Sequence, residues 1–125
     1  MSHAHALLIE SHPLLRQILR QLLTEAGLDV MAEAEAAVEG MRLAVRLRPD
    51  FVIVDSTMTD VNGLVLSQLL HEVVPGSRVI LLVNDSTTYC PVVEQSVAAC
   101  IGKQTAAHEL PLVIQRLLGS RGTQP

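Results

Sequence analysis

The strongest constraint on this chain is an alternation. Three short and almost continuously apolar runs, ALLIE (6–10), DFVIVD (50–55) and RVILLVND (78–85), are separated by longer stretches in which apolar residues recur at helical spacing. Runs of that length and character are strands buried on both faces, which parallel sheets produce because their crossover helices cover both sides. After the first run, Leu14, Leu15, Ile18, Leu19, Leu22 and Leu23 define a helix, with Pro13 suited to its first turn and Gly27 to its C-terminal cap. DVMAE (29–33) reads as a short strand, and Ala36 to Leu47 as a helix carrying Val38, Met41 and Val45 on one side until Pro49 ends it.

The second half repeats the scheme. Leu64 to Val74 follows the loop STMTDVNG (56–63) as a helix stopped by Pro75-Gly76, and ACIG (99–102) is a last short strand. Between them, Ser86 to Val97 is expected to be a helix shortened or kinked at Pro91. A final helix is expected from about His108 to Leu118, with Pro111 confined to its first turn. Five strands alternating with five helices give an α/β, flavodoxin-like, doubly wound five-stranded parallel sheet, and the strand order expected is 2-1-3-4-5. Residues 6–118 form the domain, with 1–5 as a flexible start and GSRGTQP (119–125) as a flexible tail or the start of a linker.

Composition narrows the function classes. With 125 residues, 49% of them apolar or aromatic by side chain, the chain suits one domain with a real core. Its 9 basic against 13 acidic residues give a net charge of −4, which argues against a nucleic-acid surface on this domain. No apolar run approaches the ~18 residues of a membrane span and no leader pattern opens the chain, so a cytoplasmic setting is expected. Cys90 and Cys100 lack zinc-ligand spacing and read as reduced thiols, and His3 and His5 as part of a solvated start.

In a doubly wound sheet, function collects beyond the carboxyl ends of the strands. The groups there are Glu10, Asp55, Val83 with Asn84, and Lys103. Two carboxylates and an ammonium converging on one crevice suit a divalent cation and a phosphoryl group, with Asp55 as nucleophile, Glu10 holding Mg²⁺ and Lys103 neutralising transferred oxygens. A structural Asp55–Lys103 ion pair accounts for the same residues equally well. The first strand is followed by Ser11-His12-Pro13 rather than a glycine-rich loop, which excludes a dinucleotide fold. Beyond His12 the site offers no general acid, so an enzyme is not expected.

IESHP (9–13), IVDSTMTDVNG (53–63) and IGK (101–103), in that order, resemble the receiver domain of two-component response regulators, especially those that feed LuxR/NarL-type DNA-binding domains. The resemblance implies that Asp55 is the phosphoacceptor, Glu10 the first of an acidic pair and Lys103 the lysine that contacts the phosphoryl group. It also implies that the backbone carbonyl of Thr57 is a metal ligand, and that a histidine kinase or other signalling protein is the partner. Met58 and Gly63 match the loop pattern, while Thr59 stands where proline is usual.

Against that pattern the departures are pointed. Ser11 replaces the second acid, leaving Glu10 and Asp55 as the site's carboxylates, and a neutral hydroxyl there weakens Mg²⁺ binding. Val83 stands where the family has the switch Thr or Ser, and Cys100 where a switch Tyr or Phe is common; Ser86 or Thr87 could supply the hydroxyl only if the loop bent back. The expectation is an atypical receiver that works by protein–protein association with weak or absent phosphorylation, the alternative being a working phosphoacceptor that controls an attached or partner DNA-binding output. Leu112 and Leu118 widen the apolar arc of the last helix, and a homodimer through part of the face made by the last two helices and last strand is expected.

Overall fold

A computed structural model of the chain describes residues 3–84 and 96–122. Five strands, β1 (His5–Ile9), β2 (Asp29–Ala34), β3 (Phe51–Asp55), β4 (Arg78–Val83) and β5 (Ala99–Gly102), pair in parallel in the order β2-β1-β3-β4-β5. The described helices are α1 (Pro13–Glu25), α2 (Ala37–Leu47), α3 (Gly63–Val73) and α4 (Ala106–Gly122), the last entered through a 3-10 turn, Lys103–Thr105. The expected helix around Pro91 falls almost wholly outside the described residues, as do Cys90, Ser86 and Thr87; of its span only Ser96 and Val97 are described, and neither is helical.

Side chains alternate across the sheet with the two-residue period of a strand. Leu7, Ile9, Val52, Val54, Val79 and Leu81 face one side, where Ala37 and Ala44 of α2 and Leu66 and Leu70 of α3 cover them. Ala6, Leu8, Phe51, Ile53, Ile80 and Leu82 face the other, against Leu19 and Leu23 of α1 and Leu110 and Ile114 of α4. The strand residues of both clusters are buried, which is why the strands read as continuous apolar runs.

Local signals act as their chemistry requires, with one exception. Gly27 takes φ +93° after α1, and Pro13 opens that helix, where its missing N–H costs nothing. Pro111, expected in a first turn, instead lies inside α4, because the helix begins at Ala106 rather than His108. The carbonyl that loses its partner belongs to Ala107, which is exposed, so water can replace the missing N–H. α4 also runs past Leu118 to Gly122, and Leu118 packs against the α1/α4-side core instead of adding to an exposed arc.

Candidate functional site: the crevice at the ends of β1, β3 and β5

Register and period together build the site. Ile9 pairs with Val54 across β1 and β3, so one step further Glu10 comes beside Asp55, on the same side of the sheet. Glu10 is fully buried and Asp55 is 2% exposed. Val83 pairs with Gly102, and the next residue, Lys103, turns over the strand ends. Its Nζ lies 2.7 Å from Asp55 Oδ1 and 2.9 Å from Thr57 Oγ1.

Asp55 Oδ1 also accepts from the Thr57 backbone N–H and the Thr57 hydroxyl, each at 2.9 Å. One carboxylate oxygen thus takes an ammonium and two neutral donors. Burial alone would push the Asp55 carboxyl up, but its hydrogen bonds with Glu10, Lys103 and Thr57 outweigh that and hold it below the ordinary 3.8.

Glu10 is pushed the other way, up to about 7, first by burial and then by the Asp55 carboxylate beside it. The His12 backbone N–H donates to Glu10 Oε2 at 3.1 Å, whereas Oε1 is buried without a protein donor. A buried carboxylate oxygen in that position needs either its own proton, shared with Asp55, or a cation. Two adjacent carboxylates with one orphaned oxygen are hard-oxygen donors of the kind that fits Mg²⁺. The set is thin, because no group of three or more His, Cys, Asp or Glu side chains comes together among the described residues.

The remaining predicted positions do not join this cluster. Ser11 is half-buried and engages in no side-chain hydrogen bond with it. Val83 is 6% exposed and packs in the core on the α2/α3 side, with Met58 in the same cluster. Cys100 lies exposed on β5, paired in register with Leu81.

Three supporting residues escaped sequence reasoning in the roles they play. The Thr57 hydroxyl ties Lys103 to the carboxylate. Gly63 opens α3 directly against the end of β3: a Cβ there would land on the Asp55 carbonyl oxygen and Ser56 Cα, while its N–H donates to the Ser56 carbonyl at 3.1 Å. Asp60 reaches across to accept from the backbone N–H groups of Ala37 (2.9 Å) and Val38 (3.0 Å), and those two bonds hold its carboxyl below the ordinary 3.8. The signal for Asp60 lay in α2 itself, whose N-cap is Ala36, a residue with no side-chain acceptor.

Residues 6–115 match the family described as the response regulator receiver domain. The transcriptional regulatory protein LiaR of Bacillus subtilis is 30% identical over 108 residues, covering 83% of this chain and 51% of LiaR. A protein-glutamate methylesterase/protein-glutamine glutaminase of Hahella chejuensis is 33% identical over 92 residues, covering 70% of this chain but 26% of that protein. The chain therefore spans about half or less of the curated relatives it matches. The crystal structure of a LuxR-family two-component response regulator from Aurantimonas sp. SI85-9A1 superposes with a TM-score of 0.84 at 25% identity, over 95% of this chain and 87% of that one. With the 2-1-3-4-5 sheet and a carboxylate–lysine crevice at its strand ends, the chain belongs to the response regulator receiver domain family.

Proposed function

We propose that this receiver is an atypical one, a regulatory association module of a two-component response regulator in which aspartyl phosphorylation is weak. The observation that carries the reading is how thin the donor set is: Glu10 and Asp55 are the crevice's carboxylates, Ser11 makes no side-chain hydrogen bond with them, and no group of three or more His, Cys, Asp or Glu side chains comes together among the described residues. Burial and the Asp55 carboxylate beside it push Glu10 up to about 7. Bound Mg²⁺ would be held by Glu10, Asp55 and the Thr57 carbonyl, and it would supply positive charge to the carboxylates and to incoming phosphoryl oxygens. The chain's own residues otherwise neutralise the crevice, with Lys103 on Asp55 and a proton on Glu10.

One observation favours the alternative reading, a working phosphoacceptor served by a histidine kinase and controlling a DNA-binding output. Asp55 stays ionised, and Lys103 is already placed to meet transferred oxygens. In that case Asp55 Oδ2 attacks phosphorus, the phosphodonor's own bond to phosphorus breaks, and Lys103 stabilises the added charge.

Intact mass after incubation with Mg²⁺ and acetyl phosphate, beside an Asp55→Ala control, separates the two. A small fractional adduct is expected on the parent, and a larger one on Ser11→Asp with Val83→Thr. A stoichiometric adduct on the parent, absent from Asp55→Ala, would sink the weak-phosphorylation reading. The proposal extends to a cytoplasmic setting, to 6–118 as the body of the domain, with β1 starting one residue earlier at His5 and α4 running on to Gly122 where a flexible start and tail are expected, and to no enzymatic turnover of its own. No described helix is long and apolar enough to cross a membrane.

A further inference from the structure

Helix α2 bears an unpartnered face with an ordered charge pattern. Val38 is 54% exposed and Val45 40%, and their spacing of seven residues, two helical turns, puts them on one side of the helix. Beside them, Ala37, Val38 and Met41 of α2 and Val61, Leu66 and Leu69 line a groove of about 160 Å³ between α2 and α3. Val65, Leu69 and Val73, at 47%, 42% and 44% exposure, continue the apolar surface along α3.

The charges beside this surface are segregated. Glu39 lies in the first turn of α2, Arg42 at its middle and Arg46 in its last turn, with Glu35 just before the helix and Arg48 just after it. Among the described residues no ion pair engages Glu39, Arg42, Arg46 or Arg48. The helix dipole explains the order of the signs along the axis. It does not explain why an exposed apolar row runs beside them.

We infer that α2 is a self-association face, and that its occupant is a second copy of this chain docked with its α2 antiparallel to the first about a two-fold axis. A two-fold axis of that kind reverses helix direction while keeping the same flank against the same flank. With Val38 opposite Val45 of the second copy, Glu39 falls opposite position 44, between the second copy's Arg42 and Arg46. The apolar pair closes over the mouth of the α2–α3 groove, and the Glu39 carboxylate of each copy meets bases of the other. Helix α1 offers no equivalent: its exposed pair, Leu14 and Ile18, is flanked by Arg16 and Arg20, already engaged with Glu33 and Glu35. One helix with part of a second is a small interface, so association in the range of tens of micromolar is expected, weakening as salt rises.

This inference rests on the reading of the chain as an association module, and it names the face. Sedimentation velocity of the full unphosphorylated chain from about 10 µM to about 1 mM gives the test, with circular dichroism confirming that each exposed-site variant is folded. Glu39→Arg and Arg46→Glu each place like charges against one another and are expected to weaken the dimer about tenfold or more. Mixed in equal amounts, the two single variants should recover a heterodimer of parental affinity, because each then supplies the charge the other lacks. Carrying both reversals in one chain should restore the homodimer, and Val38→Asp should abolish it.

A monomer throughout the range overturns the inference, as does a dimer lost on Leu112→Asp and unaffected by Val38→Asp, or a mixture of the two charge variants that stays monomeric. The mass adduct described above is an independent readout. Stoichiometric phosphorylation would refute weak phosphorylation while leaving the sedimentation result to stand or fall by itself.

Discussion

Replacing Glu10 by Gln tests the charge state on which the crevice turns. The ordinary carboxyl value is 4.5, and in the folded protein Glu10 is pushed up to about 7. Between those two values the folded state holds a proton that the unfolded state has lost, so stability from this group is full below about pH 4.5 and is lost as pH rises through 7. By pH 8 the loss amounts to about 3 kcal/mol. Asp55 acts in the opposite sense at the acid end. Its contribution is present above 3.8 and is lost only as pH falls through its lower folded value, so it leaves the neutral range alone. Gln has the shape of protonated Glu: its amide can donate toward Asp55 and its carbonyl can accept the His12 N–H, but it does not titrate. Urea unfolding of both proteins in a chelator should show the variant gaining on the parent by about 2–3 kcal/mol between pH 5 and pH 8. With slopes of about 1–3 kcal/mol/M, the midpoints separate by a further ~1–2 M. Added Mg²⁺ at pH 8 should return part of the lost stability to the parent and none to Glu10→Gln. A difference between the two proteins that stays constant across pH would refute the reasoning, because it would mean that Glu10 ionises in place without cost.

Gly63→Ala should lower stability by about 2–3 kcal/mol and the melting temperature by about 10 °C, since the atoms in the way are backbone at the end of β3 and cannot rotate aside. A loss of only a degree or two in a thermal melt would mean that α3 is free to shift off the strand. Asp60→Ala should speed hydrogen exchange at the Ala37 and Val38 amides, whose acceptor it removes, and unchanged protection there would show that another group caps α2. The same clasp is present above 3.8, where Asp60 is charged even unfolded, and weakens as pH falls through its lower folded value.

Most of the fold was legible because each strand is bounded by its own punctuation. Proline and glycine close α1, α2 and α3, and the apolar runs have no polar face to confuse the period. The errors fell where a rule depends on a boundary. Pro111 lies inside α4 because the helix starts at Ala106, two residues ahead of the His108 start that the apolar spacing suggests, after a turn that begins at Lys103. At the site, the positions of Glu10, Asp55 and Lys103 followed from their place at the strand ends. Who satisfies whom did not follow, because Thr57 and Asp60 act through side-chain bonds into a loop and a neighbouring helix. Such bonds have no period and leave no pattern in one sequence.

Retention of Asp55 and Lys103 in a site short of one acid has a physical reason that holds whether or not Asp55 is phosphorylated. Removing Lys103 would leave a carboxylate that is 2% exposed beside another that is fully buried, and the cost of an unpaired buried charge is several kcal/mol. Removing Asp55 would strand the lysine and the Thr57 hydroxyl. Glu10 escapes this bind because it can take up a proton. The crevice therefore balances its own charge, and its balance is mechanically tied to α2. Asp55, Ser56 and Thr57 begin the loop whose Asp60 grips the first turn of that helix, five residues from Asp55. A group that displaced Thr57 from Asp55 would pull on the same short segment, and the helix at its other end carries the face on which a second copy fits.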